Sequence, residues 1–358
     1  MFKPQKIALI ELGTSHDECL YAQVAYLKSR PKCSLRIYCS PKIAARIAPW
    51  ADENEVEILK QKLGWKDFYR LYKNISKGQF NTVIFNTGQG PHIRKLLLFP
   101  FAKSITFIAS IHNINRLETS RSQKAISRKV RKYLVLNDYL LKPLAEKNYP
   151  QLKFSSYYAI LYPSYPELEI AKPAGEIWIV IPGQVENKRR DYPSLIQALT
   201  KEKPSKKLRF ILLGISEHEH GDGILLKAEI EAAGLEENFM LWRDFVSMET
   251  FYTYVKKADY IMPLIHAEHG SGRTYQTQIS GTYNLAFAFK KCLLMDEAYQ
   301  DIEDFKDSAE FYQTSNLARF LNGLESTSHK KLYQLPKWSF YYQAEKYWNF
   351  IQNWEISL

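Results

Sequence analysis

Short apolar runs recur along this chain, and each is followed by a glycine or polar turn and then by a segment with helical spacing of its apolar residues. The first run, Lys6 to Leu12, ends at Gly13, and a helical pattern begins at Asp17. Strands that alternate with helices of about 10 to 15 residues are typical of βαβ units, which build parallel sheets covered on both faces. The pattern therefore predicts an α/β fold with parallel sheets.

The alternation occurs twice, on either side of a segment from Leu161 to Ala174 that contains three prolines and lacks helical spacing. A length of 358 residues suits two domains of about 100 to 200 residues each. We predict two Rossmann-like, doubly wound parallel-sheet domains facing a cleft, with a linker at 166–175 between them. Beyond Lys6 to Leu12, strands are predicted at 35–39, 82–86, 105–111, 132–136, 177–181, 208–213, 239–242, 260–264 and 292–295, and helices at 93–99, 192–199, 223–233, 247–257, from Ser280, and across the tail 338–354.

The charge of the chain favours an anionic partner. There are 49 Lys and Arg against 38 Asp and Glu, a net charge of +11, which suits nucleic acid, an acidic membrane surface or phosphorylated substrates. No apolar run approaches the roughly 18 residues of a membrane span, and no signal-peptide pattern precedes the first strand. We therefore expect a cytoplasmic protein. Without metal-site spacing, the four cysteines are expected to be reduced thiols and not zinc ligands: Cys19, Cys33, Cys39 and Cys292.

Residues 177–296 resemble the donor domain of the GT-B glycosyltransferases, in particular the large retaining family of bacterial polysaccharide and lipid-linked sugar transferases. Three segments carry the resemblance in order: IPGQVENKRRDYPSLIQAL, the stretch from ILLGIS to YIMPLI, and HAEHGSGRTYQTQISGTYNLAFAFKKCLLM. Weaker similarity lies at 7–20 and 105–140. The resemblance implies an acceptor-side domain at 1–165, a nucleotide-sugar donor domain at 176–335, and a C-terminal helix at 336–358 that packs back on the first domain.

The first of these segments places three consecutive cations, Lys188, Arg189 and Arg190, after a predicted strand. Open α/β sheets bind ligands outside the carboxyl ends of their strands, and such cations suit a phosphate. In the family this loop holds the donor diphosphate through an arginine and a lysine; Gln184 stands at the arginine position here and Arg190 near the lysine position. A solvated basic turn is the alternative interpretation.

The third segment contains a helix start, Ser280-Gly281-Thr282, whose free N–H groups and dipole suit a pyrophosphate. An ordinary serine N-cap explains it equally well. The family usually has two glutamates here, separated by seven residues, and this sequence lacks them. Glu268 is the only carboxylate of the loop and is a candidate to face the donor sugar, with an ordinary loop carboxylate as the alternative interpretation. Arg273 is a candidate phosphate or acceptor contact.

By the same resemblance, the turn after the Phe239 strand lines the nucleoside. The candidate nucleoside contacts are Gly183, Trp242, Arg243 and Val246. An aromatic ring can stack on a base, and an ordinary core position is the alternative interpretation of Trp242.

In the first half, the turn after the first strand contains Gly13, His16, Asp17 and Glu18. The resemblance implies that Gly13 approaches the donor phosphate, that His16 is catalytic, and that Asp17 and Glu18 lie on the acceptor side. First-turn acids are also favoured simply by the helix dipole. His112 follows a central strand and resembles the family histidine that contacts the donor sugar or phosphate.

We therefore expect a glycosyltransferase that moves a sugar from a nucleoside diphosphate sugar to a saccharide or lipid-linked acceptor, without metal or cofactor and with retention. A nucleotide-sugar epimerase of the same fold and a catalytically inactive transferase-like partner protein are the alternatives. Dinucleotide and P-loop motifs are absent from the sequence, as are those of nucleic-acid modules. The tail suggests a second partner, an anionic membrane surface, with intramolecular packing as the alternative for its aromatic residues: Trp338, Tyr341, Tyr342, Tyr347 and Trp348.

Overall fold

The computed structural model describes residues 5–214, 216, 221–270, 272–325 and 332–352. These residues form two compact units. The first contains the chain up to Pro163, the short segment Thr277–Ile279 and the chain from Pro336, and the second contains Ser164–Gln276 and Ser280–Leu335.

The first unit is built on a parallel sheet of seven strands among the described residues, in the order β3-β2-β1-β4-β5-β6-β7. Every neighbouring pair is parallel. Its strands are β1 (Gln5–Glu11), β2 (Cys33–Cys39), β3 (Val56–Ile58), β4 (Thr82–Phe85), β5 (Thr106–Ile111), β6 (Lys132–Leu136) and β7 (Lys153–Tyr157).

Helices cover both faces of this sheet. Alternate residues of a strand point to opposite faces. Ile7 packs with the helices at 17–28, 41–47 and 340–352, whereas Ala8 packs with those at 65–77, 91–96 and 121–126. The helices are α1 (Asp17–Lys28), α2 (Pro41–Ile47), α3 (Trp65–Lys77), α4 (Pro91–Leu96), α5 (Arg116–Thr119), α6 (Arg121–Ile126), α7 (Leu141–Glu146) and α14 (Phe340–Gln352), with 3-10 turns at Glu53–Glu55, Asp138–Leu140 and Pro336–Trp338.

The C-terminal helix α14 belongs to the core of the first unit. The Trp348 indole donates to the Tyr26 carbonyl (2.7 Å), and the Tyr347 hydroxyl donates to the Gln23 side chain (2.8 Å). Trp338, Tyr347 and Trp348 are all buried, so the alternative of intramolecular packing holds for these three and they offer no surface to a membrane. Tyr341 and Tyr342 stay exposed. Residues 353 and 354 of the predicted helical tail lie outside the described residues.

The second unit is built on a parallel sheet of six strands among the described residues, in the order β10-β9-β8-β11-β12-β13. Its strands are β8 (Ile177–Pro182), β9 (Leu208–Leu213), β10 (Phe239–Met240), β11 (Tyr260–Ile261), β12 (Cys292–Asp296) and β13 (Ala309–Tyr312). Its helices are α8 (Tyr192–Lys201), α9 (Asp222–Ala232), α10 (Met248–Lys257), α11 (Gly281–Phe289), α12 (Glu303–Lys306) and α13 (Leu317–Asn322), with 3-10 turns at Glu236–Asn238, Gly272–Gln276, Glu297–Tyr299 and Thr314–Asn316.

The two parallel-sheet α/β domains confirm the predicted fold class, while individual boundaries differ. The strands predicted at 239–242 and 260–264 are each reduced to two paired residues. Leu264 has a left-handed backbone (φ 52°), which no strand residue adopts, and this change of direction ends β11 early. The helix predicted at 93–99 runs instead over Pro91–Leu96, because proline is well suited to the first helical position.

The predicted linker segment has no helix or strand and is attached to the second unit. Tyr165 stacks on Tyr252 with ring centroids 5.1 Å apart, and the Leu168 N–H donates to the Thr253 hydroxyl oxygen (3.0 Å). Among the described residues, no helix is both long and apolar enough to cross a bilayer.

Candidate functional site

The strand order defines where each sheet can bind a ligand. In the first unit the chain continues from β1 to β2 on one side of β1 and later enters β4 on its other side. In the second unit, β9 and β11 lie in the same way on opposite sides of β8. Ligands of open α/β sheets bind outside the carboxyl ends of strands at such a switch point. The loops at these points are 12–16 and 86–88 in the first unit, and 183–191 and 264–270 in the second.

In the first unit a buried carboxylate shapes the loop after β1. One Glu11 oxygen accepts the Gly13 N–H (2.6 Å), and the other accepts from the Asn86 amide and the Thr87 hydroxyl (both 2.7 Å). A β-carbon on Gly13 would lie 2.8 Å from the first oxygen, so only glycine fits without a shift. Burial raises the pKa of Glu11 above its usual range. The Glu11 side chain thus fixes the loop from beneath.

Two histidines stack above this framework. The His16 and His112 rings lie with centroids 4.0 Å apart and planes at 21°. Burial opposes a charge on His16, but Glu18, with a carboxylate oxygen 3.5 Å from His16 Nδ1, outweighs it and raises the pKa of His16. Burial, reinforced by the His16 charge, lowers the pKa of His112 to about 3. The surroundings therefore favour the charged state of His16 and the neutral state of His112.

The hydrogen bonding of His112 fixes its tautomer. Its Nε2 lies 3.3 Å from the Asn86 carbonyl oxygen, which can only accept, so Nε2 carries the proton. In a neutral imidazole the other nitrogen, Nδ1, is then an acceptor. His112 in this state suits a donor such as a sugar hydroxyl better than a phosphate oxygen.

The structure distinguishes the two acids that were assigned to the acceptor side. Asp17 forms an ion pair with Arg46 (2.8 Å), which also reaches the Thr14 carbonyl. Glu18 instead faces His16, and although burial opposes it, this contact lowers the pKa of Glu18. Only Glu18 therefore joins the histidine pair.

The histidine pair also borders a thiol. Nitrogen atoms of His16 and His112 and the Cys19 sulfur lie within 4.8 Å of one another. Tetrahedral zinc requires the lone pairs of its ligands to converge on one point, and the in-plane lone pairs of two nearly parallel rings do not. Burial, followed by the neighbouring Glu18, raises the pKa of Cys19 well above its usual range, so the thiol stays protonated. In this arrangement the cluster does not fit a metal ion.

In the second unit the basic loop divides into anchored and exposed cations. The Arg190 guanidinium donates to the carbonyls of Pro182 and, at 3.3 Å, Gln184. A β-carbon on Gly183 (φ 99°) would lie 2.9 Å from that guanidinium. Lys188 and Arg189 are exposed, and Arg189 pairs with Glu186 (2.9 Å). Arg190 thus shapes the loop, while its two neighbours present charge to solvent.

A buried hydrogen bond between a carboxylate and an imidazole joins the basic loop to the loop after β11. Asp191, the N-cap of α8, accepts from His266 Nδ1 at 2.7 Å, and His266 Nε2 lies 2.9 Å from the Tyr312 hydroxyl. His269 adds a second contact to Asp191 (3.3 Å) and one to the Asn187 carbonyl (2.8 Å). Burial opposes ionisation, but His266 and Ser194 outweigh it and lower the pKa of Asp191 to about 2.

Close backbone packing reinforces this connection. At Gly270 (φ 51°) a β-carbon would lie 2.4 Å from the Lys188 carbonyl oxygen. Leu264, buried and left-handed, turns the chain into the loop at some cost in conformational energy. A strained residue such as Leu264 persists where the surrounding structure fixes it. Here the close packing at Gly270 keeps the loops 183–191 and 264–270 in one arrangement.

Glu268 and Arg273, which were assigned to sugar and phosphate, pair with each other. The guanidinium donates to the carboxylate, and both side chains are about three-quarters exposed (78% and 74%). An exposed pair contributes little to stability and exchanges readily for other partners. Both groups therefore remain available to a ligand.

Helix α11 opens with the predicted N-cap. The Ser280 hydroxyl accepts the Thr282 N–H (3.4 Å), and both side chains are buried. Gly281 is exposed, and a β-carbon there would meet nothing within 4 Å. The helix therefore presents an open first turn, whose N–H groups are not all satisfied within the helix.

The turn after β10 holds the three remaining candidates. The Trp242 N–H donates to the Ser216 hydroxyl (2.7 Å), and the Trp242 carbonyl accepts the Ser216 N–H (3.1 Å). The Trp242 ring packs edge-on against Tyr254 (5.5 Å), while its buried Nε1 lacks a partner among the described residues. Val246 is buried, and Arg243 is exposed. Trp242 is thus mainly a packing residue, whereas the exposed ring in this turn is Phe245, 72% accessible.

Sequence reasoning missed several residues of these sites. Glu11, Asn86, Asp191, His266 and Tyr312 interact over separations of 46 to 75 residues, which no local pattern reveals. The exposure of Phe245 was not predictable either, because its apolar neighbour Val246 also lies between Asp244 and the predicted helix and is buried.

This chain is similar to known proteins in its structure. No family model matches this sequence, and no curated protein matches it. A glycosyltransferase from Rickettsia africae superposes with a TM-score of 0.63 at 12% identity, covering 98% of this chain and 100% of that one. UDP-GlcNAc 2-epimerase from Neisseria meningitidis bound to UDP-GlcNAc gives 0.58 at 9%, covering 97% and 99%, and Anabaena HepE in complex with UDP gives 0.60 at 12%, covering 97% and 95%.

These likenesses extend over both units and over nearly the full length of each similar structure. Identities this low establish the fold and leave the reaction open. The chain therefore has the two-domain GT-B fold that these glycosyltransferases and epimerases share.

Proposed function

We propose that this protein is a glycosyltransferase that uses a nucleoside diphosphate sugar, with the donor bound at the carboxyl edge of the second unit's sheet. The observation that carries the proposal is the Asp191–His266 pair (2.7 Å), which joins the basic loop to the loop leading to α11. Preorganised cations and helix N–H groups stabilise charge that develops on a leaving diphosphate. The donors bound by similar structures, UDP and UDP-sugars, support this ligand class.

In this proposal the diphosphate lies against the open first turn of α11 and the exposed cations Lys188 and Arg189. Arg190 keeps the loop in shape, and Arg273 exchanges Glu268 for phosphate. The base lies near Phe245 and Arg243, where an exposed ring offers a stacking surface. Because cations and a helix terminus supply the positive charge, we propose that transfer requires no metal.

In the same proposal the histidine pair of the first unit binds a saccharide. A protonated His16 is suited to negative charge, and the Nδ1 acceptor of His112 is suited to a saccharide hydroxyl. We propose a saccharide hydroxyl, lipid-linked or free, as the acceptor. A front-face route with retention, in which the leaving phosphate takes the acceptor proton, requires no protein nucleophile.

Three of the carboxylates in these loops are held by partners, which makes them poor bases for epimerisation. Proton removal from a sugar carbon requires a positioned base. Asp191 is bound to two histidines, Asp17 to Arg46, and Glu11 to three donors. Epimerisation remains the second candidate, because UDP-GlcNAc 2-epimerases are among the similar structures.

Chromatography of the products distinguishes the candidates. The protein is incubated with each UDP-, GDP- or ADP-sugar, with and without a panel of saccharide acceptors and with EDTA. A transferase releases nucleoside diphosphate only when acceptor is present, and EDTA has no effect. A second UDP-sugar formed without acceptor indicates an epimerase, and binding without either product indicates an inactive partner protein.

A further inference from the structure

The positive charge of this protein is concentrated in one segment. Residues 60–131 contain 15 Lys and Arg against 2 Asp and Glu. The remaining residues hold 34 of the 49 cations and 36 of the 38 acids, and are therefore net negative. The overall charge of +11 thus originates in about a fifth of the chain, all of it in the first unit.

The fold places this segment in one helical layer. α4 contacts both α3 and α6, and all three pack on the sheet face opposite to α1 and α14. The cations of the layer lie largely on its outer side, including Lys66, Arg70, Lys73, Arg94, Lys124 and Lys129. Both acids of the segment are in ion pairs, Asp67 with Lys60 (3.0 Å) and Glu118 with Lys147 (2.8 Å).

Apolar side chains are exposed on the same layer. Trp65 is 57%, Tyr69 50% and Leu98 66% accessible, and the partly buried rings of Tyr72 and Phe99 support them. Phe99 stacks on Tyr72 (5.2 Å) and lies 6.4 Å from Trp65 and 6.1 Å from Tyr69. We refer to these five residues as the α3–α4 patch.

Cations are in direct contact with the patch. Lys95 Nζ lies 5.9 Å from the Trp65 ring and Lys73 Nζ 5.4 Å from the Tyr69 ring. The Lys129 ammonium donates to the Phe99 carbonyl (2.8 Å). Rings and ammonium groups are therefore presented side by side.

We propose that the α3–α4 patch and its cations bind the surface of a bilayer that contains anionic lipid. Tryptophan and tyrosine rings lie at the headgroup level of a bilayer, leucine inserts below it, and lysine stems extend toward lipid phosphates. The cores of protein interfaces are depleted of lysine, which disfavours a protein partner. The proposal is independent of the reaction proposed above, and it assigns the membrane contact to α3 and α4 instead of the buried tail aromatics.

Co-sedimentation with vesicles tests the charge contribution. The protein binds vesicles of phosphatidylcholine and phosphatidylglycerol but not of phosphatidylcholine alone, and added salt weakens the binding. The double variant Lys66→Glu with Arg70→Glu binds at least about tenfold more weakly. Lys206→Glu with Lys207→Glu, exposed in the second unit, makes the same change in net charge and retains the binding. Equal loss in both variants would overturn the assigned surface.

The apolar contribution has its own pair of variants. The double variant Trp65→Ser with Leu98→Ser is expected to lose the vesicle binding that persists at high salt. The control variant Tyr341→Ser with Phe245→Ser changes exposed rings outside the patch and is expected to keep that binding. The four substituted positions of each comparison are exposed, so every variant is expected to give the same far-UV circular dichroism spectrum as the wild type. Absence of binding to anionic vesicles, or preferential displacement of the protein from them by single-stranded DNA, would refute the proposal.

Discussion

The His16 and His112 rings are stacked with centroids 4.0 Å apart, and the same contact favours opposite charge states in the two rings. Glu18 favours the cation on His16, and that cation, together with burial, keeps His112 neutral. A loop residue at a left-handed position and a strand-end residue are thereby coupled across 96 positions of the chain.

This coupling predicts a pH-dependent contribution of His16 to stability. The raised pKa means that folding favours the charged ring, so the contribution is full below the usual histidine pKa of about 6.5 and is lost as pH rises through the folded value. His16→Asn keeps a residue that tolerates positive φ. Thermal unfolding of both proteins from pH 5 to 9 is expected to show a difference that shrinks with increasing pH. A difference that grew with pH would contradict the assigned charge.

The buried Asp191–His266 pair is expected to show the opposite pH dependence, a contribution to stability that is lost as pH falls. The pKa of Asp191, lowered from 3.8 to about 2, implies stability that is present above the unfolded value and is lost as pH falls toward the folded one. Asp191→Asn is expected to destabilise the protein by about 1 to 3 kcal/mol at pH 7. The difference should decline between about pH 4 and pH 2, as measured by urea unfolding. A gap that stayed constant over this range would show that the charge of Asp191 is not involved.

Helix α14 is expected to depend on one hydroxyl. Tyr347→Phe leaves the buried side-chain oxygen of Gln23 without this donor and should lower the free energy of unfolding by about 1 to 2 kcal/mol. Tyr341→Phe, on the same helix but 83% exposed, should cost nothing measurable in the same denaturant titration. Equal effects would mean that the buried hydrogen bond does not stabilise the helix.

Variants of the basic loop are expected to separate effects on stability from effects on nucleotide binding. Lys188→Ala with Arg189→Ala should leave stability within about 0.5 kcal/mol, because the side chains are exposed, yet weaken nucleotide binding about tenfold or more. Arg190→Ala should lower both, because its guanidinium holds the loop carbonyls. Calorimetric titration and thermal unfolding are compared with Lys206→Ala and Lys207→Ala as charge-matched controls. Unchanged affinity in the Lys188 and Arg189 variant would remove the loop from the donor site.

Central strands were predictable from the sequence, whereas three of the four edge strands were not. Runs such as Ile177–Pro182 are apolar throughout because helices cover both faces of a parallel strand. The strands that pattern reasoning missed, β3, β7 and β13, all lie at sheet edges. An edge strand is partly exposed, as in KFSSY of β7, and its sequence lacks the continuous apolar signal.

The candidate sites show the same limit. Gly13, His16, His112 and Ser280 were identifiable because each directly follows a strand or begins a helix. The buried residues that support the loops were not, because Glu11, Asn86, His266 and Tyr312 are defined by contacts between distant parts of the chain. Glu268 and Arg273 were singled out separately, and only the structure shows that they pair.

The central claim, that a nucleoside diphosphate binds at the α11 terminus, is tested most directly by titrating UDP, GDP and ADP into wild type and Gly281→Ala. A β-carbon at Gly281 meets no protein atom within 4 Å, so the thermal stability of the free protein should be unchanged or slightly raised. Selective binding of one diphosphate to wild type, weakened at least about tenfold in the variant, is the predicted result, because the methyl group blocks close approach of phosphate to the helix N–H groups. No binding of any diphosphate, or equal affinity in the two proteins, would contradict it.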